Sequence, residues 1–214
     1  EYDEVNRRFN QAISTMLIIT VPMALLLLML SNESYYIFYG SSKYGSLALK
    51  ISAISHIFFG VWTVINTSLQ SMRKFKIVYI NSVVGLLANA LLDIPLILLF
   101  NKVGLPEYIA TIVSTCIGYS ISISIALIYL RKEMHFSYRK TVNLMKKLIV
   151  PSLAIIVPIL LSKTFIKFDY TFISSAISLM IHGILGVIIY LTIVYKNNAI
   201  NETLGNEFID KILV

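Results

Sequence analysis

The sequence predicts an all-α integral membrane protein with six transmembrane helices. Hydrophobic residues make up 57% of the 214-residue chain and charged residues only 14%, against about 25% charged in a soluble domain. The mean hydropathy is +0.79. The apolar residues also come in blocks of about 20, the length that crosses a hydrocarbon core as a helix. The alternating segments of a membrane barrel are not visible.

These features exclude several classes. Cys116 is the single cysteine and lies inside an apolar block, so neither a disulfide framework nor a cysteine-rich metal site can form within the chain. The net charge of +7 sits between the apolar blocks. That is an orientation signal rather than a nucleic-acid surface, and no nucleic-acid partner is expected. HExxH, GxSxG, CxxC, DDxxD and GxxxxGK[ST] do not occur. The sequence therefore predicts no enzyme, no cofactor and no metal.

The lead EYDEVNRRFN is polar and lacks signal-peptide design. It reads as an internal loop of a longer chain. The first span is expected over 11–30, with Pro22 near its middle. The segment after it holds Tyr35, Tyr36, Phe38 and Tyr39, which predicts a short helix in an aromatic interfacial belt. The second span, about 45–70, is less apolar, with His56, Asn66 and Gln70. The turn SMRKFK brings Arg73, Lys74 and Lys76.

The third span, 77–100, is IVYINSVVGLLANALLDIPLILLF. A fourth, about 107–130, is rich in Ser and Thr. A basic connection over 131–147 carries six Lys or Arg. The fifth span, about 148–166, has Pro151 and Pro158, and the sixth covers about 171–195 with His182. The tail places Ile200, Leu204, Phe208 and Ile212 on one face of a weak amphipathic helix.

Lysine and arginine set the orientation. The amino end, the second–third and fourth–fifth connections and the tail hold thirteen of them, and the opposite side holds five. Both termini are expected in the cytoplasm. That places Asn89 near the midplane and Asp93 in the outer half.

The third span carries the main candidate site. Asn81, Gly85, Asn89 and Asp93 follow one another at four-residue steps, which keeps them along one winding helix face. A carboxylate within a span costs roughly 2.5–3.5 kcal/mol on insertion scales, so the face should look into protein or water. It could line a cavity, with Asp93 holding a cation, a proton or a polar head group and Asn89 bonding sugar hydroxyls. It could equally be an interhelical packing face. Because four residues exceed one turn, the face winds by about 40° per step, and the four need not share one cavity.

Asn66 and Gln70 form a second polar pair, suited to a cytoplasmic gate, to head-group contact or to plain interfacial polarity at a helix end. Arg73, Lys74 and Lys76 could attract phosphate head groups, or act only in topology and general attraction to anionic lipid. His56 and His182, each alone among apolar residues, are expected to be hydrogen-bonded structure.

The order of these pieces resembles a known family. NRRFNQAIS, the proline-centred IITVPMALLLLML, an aromatic segment ending in YG, NTSLQSMRKFK, GLLANALLDIPLILLF and VGLPEYIATIVSTCIGYSISI follow one another over residues 4–166. This pattern resembles the later part of flippases for lipid-linked oligosaccharides, in the multidrug/oligosaccharidyl-lipid/polysaccharide exporter superfamily. That group includes lipid II flippases and sporulation protein B-like proteins.

The resemblance implies fourteen spans, two six-helix lobes and two added helices. On that scheme these six are the last six. Residues 1–130 would end the second lobe, 131–147 would be a basic cytoplasmic loop, 148–195 the added pair and 196–214 a cytoplasmic tail. The resemblance further implies alternating access, flipping of a lipid-linked oligosaccharide or cell-wall precursor across the bacterial cytoplasmic membrane, and a polyprenyl-linked glycan and membrane lipids as partners. It also implies an amino-terminal lobe outside this chain. The alternatives are a multidrug antiporter of the same superfamily and a non-transporting polytopic subunit.

Overall fold

The computed structural model describes residues 2–42, 44–165 and 171–204, and among these it is helical with no strand. Eight helices follow in order: α1 Tyr2–Met29, α2 Ser31–Tyr39, α3 Gly45–Ser71, α4 Phe75–Val103, α5 Glu107–Met134, α6 Arg139–Phe165, α7 Phe172–Lys196 and α8 Ala199–Leu204. Six of them, α1 and α3–α7, are long and apolar enough to cross a membrane. The chain is a multi-pass membrane protein, as its composition predicts.

The helices are longer than the apolar blocks at several ends. The polar lead is not a loop, because α1 already begins at Tyr2. Glu4 there pairs with Arg7 at 2.7 Å and Arg8 at 2.8 Å, the three- and four-residue spacings that support a helix. The basic connection expected over 131–147 shrinks to residues 135–138, since α5 runs to Met134 and α6 starts at Arg139. Arg131 and Lys132 sit in the last turn of α5, where positive charge favours the helix dipole. His135, at φ 53°, then ends that helix.

Other ends follow the sequence closely. Gly104, at φ 75°, closes α4 by donating to Phe100 and Asn101 carbonyls, the left-handed stop that glycine allows. Pro106 precedes α5 with an extended backbone. The Thr171 hydroxyl accepts from Ser174 N–H at the start of α7. The aromatic segment forms α2, as expected. Of the tail face, Ile200 falls in α8. Phe208 and Ile212 lie outside the described residues.

The chain forms two compact units, and their bounds cut across α1 and α3. One unit is Glu1–Met16 with Ile54–Tyr138, and the other is Leu17–Ala53 with Arg139–Val214. In the first, α4 and α5 pack along most of their length. Phe9 meets Phe136 and Tyr138 edge to face or tilted, and Asn10 donates to the Ser137 carbonyl at 2.9 Å. These contacts tie the 135–138 turn to the start of α1. In the second unit, α7 packs against α2 and α6. Its buried face is Ser175, Ser178, His182, Gly186, Tyr190 and Val194.

Candidate functional site

The polar face of the third span is a packing seam. The face of α5 against it carries Ala110, Ser114, Gly118, Ser122, Ala126 and Leu130, all buried and each four residues after the last. All but Leu130 are small, and residues this small let two backbones approach. A Cβ added to Gly85 would come within 2.8 Å of the Gly118 carbonyl oxygen, and one added to Gly118 within 2.7 Å of the Gly85 oxygen.

This glycine contact divides the seam into two polar clusters. Asn81, with no exposed surface, donates to Asn66 Oδ1 at 3.0 Å. It accepts from Ser82 at 3.1 Å and Ser122 at 3.4 Å. Ser122 in turn accepts from the Trp62 indole at 2.9 Å. One chain of hydrogen bonds thus joins α3, α4 and α5. Among the described residues Asn66 Nδ2 finds no partner.

The second cluster holds Asn89 and Asp93, both half-buried. Ser114 Oγ lies 2.9 Å from Asn89 Oδ1, from Asp93 Oδ1 and from the Thr111 carbonyl. A hydroxyl has one proton, so Ser114 donates to one of the three at a time. Asn89 Nδ2 donates to Thr115 at 3.4 Å. Acceptor oxygens therefore outnumber donors here. That chemistry suits a small hard cation or a proton as well as a packing seam. Among the described residues no three His, Cys, Asp or Glu side chains come together.

The remaining candidates disperse. Gln70 is exposed while Asn66 is buried and accepts from Asn81. Arg73, Lys74 and Lys76 are exposed in the α3–α4 turn and at the start of α4. His182 is buried, with Nε2 2.6 Å from Ser162 Oγ and Nδ1 2.8 Å from the Ser178 carbonyl. Both ring nitrogens serve packing, as expected of a lone histidine.

The family model for the lipid II flippase MurJ matches residues 1–201. The chain belongs to this family. It is also 25% identical, over 213 residues, to the lipid II flippase MurJ of Bacillus subtilis (strain 168), an alignment that covers 95% of this chain and 38% of that protein. The chain thus spans well under half the length of this relative. No solved structure matches. The resemblance drawn from the order of motifs and the family match agree.

This MurJ-family chain also holds an ion pair that sequence reasoning missed. Lys163, near the end of α6, pairs with Glu33 of α2 at 2.7 Å and donates to the Met29 carbonyl at 2.6 Å. Glu33 is 5% exposed, and its Oε2 has no partner among the described residues. The signal was present in the sequence, since Glu33 is the one acidic residue in the aromatic segment. The Ser114 and Ser122 partners were also missed, although the four-residue stripe of small residues in the fourth span announced them.

Proposed function

We propose that the chain forms the later part of a transporter that moves a lipid-linked cell-wall precursor across the bacterial cytoplasmic membrane by alternating access. The observation that carries this reading is the lipid II flippase family match over residues 1–201. The polar head would cross through a cavity between two lobes while the polyprenyl tail stays in hydrocarbon. No bond is made or broken. In chain order, 1–130 completes a lobe, 131–147 carries the basic cytoplasmic charge, 148–195 supplies an added helix pair and 196–214 a cytoplasmic tail. Both termini face the cytoplasm on the charge bias.

In this reading Asn81 and Asn66 hold the lobe together. Asn89 and Asp93 lie where the seam reaches the cavity wall, and their excess of acceptor oxygens suits a coupling cation or proton. Arg73, Lys74 and Lys76 are placed to meet anionic head groups, worth about 1 kcal/mol per charge near the surface. The test is complementation. The complete transporter should support growth when a cell's own lipid II flippase is depleted, and should move a fluorescent lipid-linked disaccharide in vesicles. Export of cationic dyes with no precursor movement would favour the antiporter alternative instead.

A further inference from the structure

We propose that the turn from α2 into α3 holds a binding site for a neutral glycolipid, a lipid whose sugar head carries no phosphate. The site has two adjoining chambers that share Tyr35 as a common wall. Both are built from residues within 27–52, inside one compact unit. Because α2 joins the spans α1 and α3, the site stands at a membrane boundary. The inference rests on the reading above for its side, the outer one, which follows from the charge bias.

The two chambers differ in chemistry. The smaller, of about 220 Å³, is walled by Asn32, Tyr36, Ser41, Ser42 and Ser46 beside Tyr35. Each of these side chains ends in a hydroxyl or an amide, groups that both donate and accept hydrogen bonds, as sugar hydroxyls do. Gly40, at φ 73°, turns the chain at its edge. The larger chamber, of about 520 Å³, is mostly apolar, with Leu27, Phe38, Ala48 and Leu49 in its wall. It falls within the range of ligand pockets, about 300–1,000 Å³, and suits an acyl chain. Tyr35 keeps the chambers apart. A Cβ on Gly45 would overlap the Tyr35 phenol, so this glycine is what lets the ring lie over the start of α3.

Charge selects the kind of head. Among the described residues no Lys, Arg, His, Asp or Glu lines either chamber. A phosphate or diphosphate would find no counter-charge there, and an unpaired charge is costly to take out of water. An uncharged sugar meets hydrogen-bonding groups without that cost. Hydrocarbon alone would leave the hydroxyls of the smaller chamber facing carbon, which cannot bond them. Phe38 and Tyr39, 77% and 75% exposed, border the larger chamber, and aromatic rings of this kind sit at the head-group level of a bilayer. A head in the hydroxyl-rich chamber and a chain in the apolar one match that placement.

The probe that tests this is a glucosyl diacylglycerol with a diazirine on one acyl chain, in phosphatidylglycerol vesicles holding the complete transporter. The expected result is photolabelling within residues 27–52, displaced by unlabelled glucosyl diacylglycerol and not by the same excess of phosphatidylethanolamine. Ala48→Trp fills the larger chamber and Ser46→Leu removes a hydroxyl from the smaller. Each should abolish most of the labelling with the melting temperature kept, and where a variant loses its melting temperature the competition in the unaltered protein decides. Labelling spread over the apolar helix faces, equal displacement by the phospholipid, or labelling that survives both variants would overturn the site. Equal displacement by a lipid-linked disaccharide would overturn it too, because the head would then carry a diphosphate. Precursor flipping is measured in the same vesicles. Flipping without the labelling keeps the transport reading and removes the site, and labelling without flipping does the reverse.

Discussion

Gly85 and Gly118 face each other across α4 and α5 so closely that a methyl group on either would press on the other's carbonyl oxygen, at 2.8 and 2.7 Å. Because the obstructing atom is backbone, no side chain can move aside. Ala is favoured over Gly in a helix by about 1 kcal/mol, but here the helices must separate to admit it. Gly118→Ala is expected to lower the unfolding temperature in detergent. Gly183, with nothing within 4 Å of its added Cβ, is the control. Gly183→Ala should be neutral or stabilising by up to about 1 kcal/mol.

The bond between Asn81 and Asn66 permits a sharper measurement. Interhelical hydrogen bonds in membranes average about 0.6 kcal/mol, with a maximum near 1.7. Asn81→Leu breaks several at once, so it should cost more than Asn66→Leu. The double variant should cost less than the sum, with a coupling of about 0.6–1.7 kcal/mol in a double-mutant cycle. Strict additivity would mean that the 3.0 Å contact contributes nothing.

Much of this architecture was legible because bilayer physics leaves few choices. The length of the apolar blocks fixed six spans, and the four-residue step from Asn81 to Asp93 fixed a common face. What lay opposite that face was not legible. Periodicity tells which side of a helix is polar, but not which helix meets it. The seam partner emerged only when the small residues of α5 were placed against it. The Glu33–Lys163 pair was hidden for a related reason, since 130 residues separate its members. The 131–147 segment is shorter as a connection than its charge suggested because charge does not mark the end of a helix, and α5 runs to Met134 while α6 starts at Arg139.

Tyr138 gives a prediction in pH. Its hydroxyl donates to the Leu127 carbonyl at 2.7 Å, and burial pushes its phenol up to about 12 from 10.0, with Arg131 pulling the other way. The folded state thus holds the proton more tightly than the unfolded chain. Its contribution is complete below pH 10.0 and is lost as the pH rises towards about 12. Tyr138→Phe should flatten that part of the stability curve in detergent. At neutral pH it should cost about 0.5–1.5 kcal/mol for the lost hydrogen bond.

For Asp93, the wall and packing roles separate by comparing activity with abundance. Asp93→Ala in the complete transporter is expected to reduce precursor flipping more than it reduces the amount of protein in the membrane. Its Ser114 partner also lies 2.9 Å from Asn89 and Thr111 oxygens, so the seam keeps acceptors for that one proton. Equal loss of activity and abundance would make Asp93 purely structural.

The Glu33–Lys163 pair puts a charge in the folded interior. Glu33 is 5% exposed, and its carboxylate has Lys163 as its one ion-pair partner among the described residues. Lys163→Met would strand a buried negative charge, a change that typically costs about 3–5 kcal/mol, whereas replacing both members of such a pair can be near neutral. The double variant Glu33→Leu with Lys163→Met should therefore unfold at a higher temperature than Lys163→Met alone. Lys163→Met should also release α2, which α7 packs against in the same unit. Hydrogen exchange over Ser31–Tyr39 checks this: faster exchange in Lys163→Met and recovery in the double variant are expected. If the single variant keeps both its melting temperature and its protection, the pair is not what fastens α2.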